Sequence, residues 1–148
     1  MSVITDLKYL YQTDDYQWLK ETIKLLKVKQ FEQLDVENLI EELENLGKRD
    51  KLTVESLLEQ VIRHLLLLEY WLDEYEYNSN HWKAEIISFR SQLTDYLTTN
   101  LKNHLSDNLE KIYQKSLKYV KQKTGFSLHF PEQCPYTLEQ LLDINWLP

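Results

Sequence analysis

The run from Asp35 to Trp71, DVENLIEELENLGKRDKLTVESLLEQVIRHLLLLEYW, limits what this chain can fold into more than any other stretch. Counted from Val36 at about 100° per residue, Leu39, Ile40, Leu43, Leu46, Gly47, Val54, Leu57, Leu58, Val61, Leu65, Leu68 and Leu72 fall in one angular sector, the period of a helix and not of a strand. A stripe of that length must be covered, so the other segments are expected to pack on it as helices. Asp35 suits the N-cap, where a carboxylate can accept from free backbone N–H groups, and Glu37 adds negative charge near the positive end of the helix dipole. Gly47, followed by Lys48, Arg49, Asp50 and Lys51, allows a left-handed C-cap that ends the helix there. The stripe keeps its phase across Gly47 and no proline interrupts it, which favours a helix continuing through, straight or kinked. Asp50 then turns toward the apolar sector and needs a partner such as Arg90 or His81.

Two glycines and three prolines in 148 residues leave little material for the turns of an all-β fold. The expectation is an all-α, four-helix bundle-like domain spanning 1–148 as one unit, with a long central helix and a wrapped C-terminal tail containing a short helix. Cys134 is the one cysteine, which excludes an intramolecular disulfide framework. With no N-terminal apolar run and no 18-residue apolar span, the chain is expected to be soluble, cytoplasmic and off the membrane. A net charge of -7 disfavours non-specific binding to nucleic acid or anionic lipid.

Residues 1–12 have apolar and aromatic members but no clean period, and are read as a loosely ordered arm. Thr13 or Asp14 caps a first helix over 15–28, with Tyr16 or Trp18, Leu19, Ile23 and Leu26 as its stripe. A hairpin at 29–34 leads antiparallel into the central helix, 36–71. The polar, tyrosine-rich segment 73–79 is read as a connector, followed by a helix over 80–98 whose buried side is Trp82, Ile86, Phe89, Leu93 and Leu97, with Arg90 beside it. Thr98, Thr99 and Asn100 break that run before a fourth helix, 101–123, ended by Gly125. Its lysines at 111, 115, 118, 121 and 123 read as a solvated face. The tail from Phe126 is too apolar to remain in water, and Thr137-Leu-Glu-Gln140 has the form of a capping box opening a short helix at 138–142.

Glu37, Glu41 and Glu44 fall at i, i+4 and i+7, placing three carboxylates on one flank of the central stripe. The row suits Mg²⁺ or Mn²⁺ through oxygen ligands, and Asp14 and Asp15 are the acids best placed to join it, Glu44 being the nearest to them; Arg90 and His64 are the cations expected to balance the group. This supports one reading, a divalent-metal-dependent all-α hydrolase of nucleotides or phosphoesters. Its Glu41-x-x-Glu44 half is present, but a facing Glu-x-x-Asp is not, since Glu69 and Asp73 are four apart. His64, His81, His104 and His129 make no His-x3-His pair, Cys134 has no adjacent base or cation, and neither a nucleophile elbow nor a phosphate-cradling loop occurs. The favoured reading is a non-enzymatic interaction or assembly module without a cofactor, acting on a protein partner or on further copies of itself. Four tryptophans and ten tyrosines support it, because these side chains join apolar area to a polar tip.

Four blocks, YQTDDYQWL (11–19), FEQLDVENLIEELENLGKR (31–49), WKAEIISFR (82–90) and CPYTLEQLLDINWLP (134–148), together resemble the bacterial, largely cyanobacterial family called domain of unknown function 29. The resemblance spans nearly the whole chain. It implies an all-helical protein without an assigned biochemical role, and brings no catalytic residue with it.

Overall fold

The computed structural model describes residues 6–148; the first five residues of the expected arm lie outside the described ones. The described chain is helical and has no strand: α1 Leu7–Thr13, α2 Asp15–Lys27, α3 Val36–Tyr70, α4 Tyr75–Tyr96, α5 Thr99–Asp107, α6 Leu109–Lys123 and α7 Leu138–Leu142, with 3-10 turns at Phe31–Gln33 and Leu72–Glu74. It gathers into two compact units, one ending at Lys48 and one running Arg49–Pro148. Helix α3 runs unbroken through Gly47.

In the first unit the arm is partly helix, correcting the reading of residues 7–12. The carboxylate of Asp6 accepts from Lys8 N at 3.0 Å and caps α1, and that of Asp14 accepts from Gln17 N at 3.1 Å and caps α2. Tyr11 and Trp18 then meet edge to face with ring centroids 4.8 Å apart. Helix α2 ends in a Schellman motif, with Gln30 N bonded to Leu25 O, Lys29 N to Leu26 O, and Lys29 at φ 60 where glycine is usual.

The second unit holds the hydrophobic core. Val54, Leu58, Val61, Ile62 and Leu65 of α3 are buried with Trp82, Ile86 and Leu93 of α4, Leu105 of α5 and Ile112, Tyr113 and Val120 of α6. Leu65, Leu66, Leu67 and Leu68 are all buried, so this end of α3 is surrounded on every side. Two expected boundaries change. The tyrosine-rich connector is mostly helical, because α4 begins at Tyr75. The expected fourth helix is two, α5 and α6, parted at Asn108, whose side-chain amide donates to His104 O at 2.8 Å.

The tail closes this core with Phe130, Tyr136, Leu138 and Leu141. The capping box forms: Gln140 N donates to Thr137 Oγ1 at 3.2 Å and Thr137 N to Gln140 Oε1 at 2.9 Å. Tyr136 donates its hydroxyl to Glu69 at 2.6 Å and meets Trp146 edge to face. Arg90, expected to balance carboxylates, instead holds the tail. Its Nε donates to Leu141 O at 2.9 Å, and its two terminal nitrogens to Trp146 O at 2.8 Å and Gln140 O at 3.0 Å. The Leu141 carbonyl at the end of α7 thereby gains a cationic donor, the charge the helix dipole favours, and Gln140 O, which also accepts from Asp143 N at 3.3 Å, gains a second one.

Candidate functional site

In the first unit the apolar residues expected to be buried are largely in solvent. On α2 the buried side is Trp18 and Thr22, which leaves Leu19, Ile23 and Leu26 exposed. On α3 the same holds for Val36, Ile40, Leu43 and Leu46, each 48–59% exposed. The stripe expected to be core along its whole length is therefore core only from Val54 onward. Before that, α3 turns a polar side inward, as Asp35, Asn38 and Glu42 show.

Asp35 is buried, and its Oδ2 accepts from Trp18 Nε1 at 3.2 Å and from Asn38 Nδ2 at 2.7 Å. The indole ties α2 to the start of α3 through a carboxylate expected to serve only the backbone. Higher on α3, Glu42 accepts from the Tyr11 hydroxyl at 3.0 Å. Tyr11, Asp15, Tyr16, Trp18, Leu19 and Glu42 line a shallow hollow of about 190 Å³. The α3 carboxylate that meets α1 and shares a hollow with Asp15 is thus Glu42, which sequence reasoning missed in favour of Glu44. Glu42 lies on the side of α3 turned away from both the apolar stripe and the acidic row, and the fold of α1 over that side brings it to Tyr11.

The other acids expected at the site are placed as follows. Asp14 is the cap of α2, Asp15 opens that helix, and Glu37, Glu41 and Glu44 form an exposed row on α3. Among the described residues, no three His, Cys, Asp or Glu side chains are grouped as a metal ion would need. Arg90 and His64 belong to the second unit and have partners there. His64 Nδ1 lies 2.7 Å from Gln60 O, and since a carbonyl only accepts, that nitrogen carries the proton. Burial pushes the His64 pKa below its usual 6.5, with the charges of His81 and Lys123 acting in the same direction and the Gln60 bond and Glu85 opposing. The imidazole packs on Phe89 and borders an open cleft of about 340 Å³ with Trp71, His81, Trp82 and Lys123. Cys134 is half-buried, and burial pushes its thiol up to about 11, so it is a packed and unreactive group as expected.

Exposed leucine and isoleucine in helical register beside a row of carboxylates define a class: an all-helical protein with a solvent-facing apolar surface on its N-terminal unit. The chain belongs to the family described as Domain of unknown function DUF29, whose model matches residues 10–147. No curated protein and no solved structure matches it. None of the described helices is long and apolar enough to cross a membrane.

Proposed function

We propose that this protein is a cytoplasmic interaction or assembly module, not an enzyme, and that it works without a cofactor by docking a protein surface on the apolar side of its N-terminal unit. The observation that carries the reading is the exposure of Ile23 and Leu26 on α2 together with Ile40, Leu43 and Leu46 on α3. Each apolar group left in water forgoes stabilisation of about 25 cal/mol per Å², so two such faces on one small unit favour being covered by a partner. Tyr16, exposed at the start of α2, and Phe31, exposed after it, add aromatic area to the same unit.

Copurification from the native host tests this. Tagged wild-type protein should recover a partner, whether another protein or untagged copies of the same chain. Recovery should be lost in Leu43→Asp and retained in a control at an exposed position of the second unit, such as Ile87→Asp. Recovery unaffected by Leu43→Asp and by Ile23→Asp would remove the surface from consideration. Titration with Mg²⁺ and Mn²⁺ distinguishes the hydrolase reading: that reading requires a metal-dependent rise in melting temperature that Glu44→Gln abolishes.

A further inference from the structure

The two exposed faces of the N-terminal unit carry opposite charges at the same offset. On α2 the apolar positions Leu19, Ile23 and Leu26 are each followed by a lysine: Lys20, Lys24 and Lys27. On α3 the apolar positions Val36, Ile40 and Leu43 are each followed by a glutamate: Glu37, Glu41 and Glu44. All six charged side chains are exposed, and the acidic row stops at Lys48. One residue is about 100° of helical rotation, so each charged row lies on the same rotational side of its own apolar stripe.

That shared offset dictates how such faces fit together. When two helices meet stripe to stripe in parallel, rows on the same rotational side fall on opposite edges of the contact. When they meet antiparallel, the rows fall on the same edge and lie beside each other. An α2 face set antiparallel on an α3 face therefore buries leucine and isoleucine against valine, isoleucine and leucine while three lysines run beside three glutamates. Two α2 faces or two α3 faces paired in this way would place like charges together.

We infer that the occupant of this surface is a second copy of the chain, with α2 of each protomer lying antiparallel on α3 of the other. The contact is isologous, since one operation supplies both the α2 on α3 and the α3 on α2 pairing. It rests on the reading of the unit as an association module and adds the partner and the pairing. The carboxylate row gains a role as the acidic edge that selects α2 over α3, chiefly through the cost of the wrong pairing.

A charge-exchange experiment on the full chain tests it by sedimentation equilibrium over the micromolar range. Wild-type protein should dimerise reversibly. The variant K20E/K24E/K27E and the variant E37K/E41K/E44K should each lose self-association by at least about tenfold in Kd. Mixed in equal amounts, they should recover it as a heterodimer, because both edges of an isologous contact are then complementary again. Circular dichroism should show native helicity in both, as all six positions are exposed. A monomeric wild type overturns the inference while leaving the association reading to its own copurification test. Reversals that leave the dimer intact, or a mixture that fails to recover it, overturn the pairing.

Discussion

Arg90 carries a full charge into a site that is 1% exposed, and its three bonds all go to backbone carbonyls of the tail. A planar guanidinium can donate in several fixed directions at once, which an ammonium on a flexible stem does less well. Arg90→Met should therefore cost about 3 kcal/mol or more, because it removes three charge-assisted bonds and takes the donor from the buried Leu141 carbonyl, and Arg90→Lys should fall between wild type and Arg90→Met. Denaturant unfolding gives the cost, and hydrogen exchange should show faster exchange at residues 140–146 in Arg90→Met. His64 makes a different prediction. Its pKa is lower folded than unfolded, so between the folded value and 6.5 the unfolded chain binds more protons and stability rises with pH. Melting temperature measured from pH 5 to 8 should climb through that window and level off above it, with a smaller climb in His64→Gln; an equal climb in both would locate the titration elsewhere. The role of Arg90 could not be read from its own neighbours, since it reaches partners 50 to 56 positions away.

The helices themselves follow from local signals. Asp14, Thr98 and Thr137 each place a side-chain oxygen on a backbone N–H of the following turn, and these caps recur where the chain has Asp or Thr before an apolar period. Less visible was the break at Asn108, where an amide competes for the carbonyl of the turn before it without any glycine or proline to announce it. Helix α1 was missed because its Leu7, Leu10 and Tyr11 are only half-buried and make no full stripe. Three glycine tests belong to this scale. Gly47 sits inside the unbroken α3 with nothing within 4 Å of an added Cβ, so Gly47→Ala should raise stability by about 1 kcal/mol. A loss would indicate that the helix needs a glycine there. Gly125 holds φ 66 in the Schellman turn after α6, so Gly125→Ala should lower stability by about 1 kcal/mol, and Lys29→Gly, at φ 60 in the corresponding turn after α2, should raise it by a similar amount. Differential scanning calorimetry resolves all three.

At the scale of the molecule, the tail completes the core of the second unit. Tyr136, Leu138 and Leu141 are buried and Trp146 packs against them, while Leu147 is 41% exposed. Removing residues 134–148 should destabilise the protein by several kcal/mol, at about 1.5–3 for each large buried side chain, and an unchanged melting temperature would show the tail to be dispensable. The amino-acid sequence by itself determined that the chain is helical and where α2, α3 and α7 begin and end, and it favoured a continuous α3, because those features depend on backbone bonds and side-chain spacing within a few residues. It also contained the charged rows on α2 and α3, legible as periods. Only the tertiary structure decided which sides are covered. The stripe of α3 has one period throughout, yet it is buried from Val54 and bare at Ile40 and Leu43, and Trp18 instead of Tyr16 is the buried aromatic of α2. Periodicity states that a face is apolar; whether that face meets protein or water depends on what the rest of the chain brings to it, and those contacts are made between residues far apart in sequence.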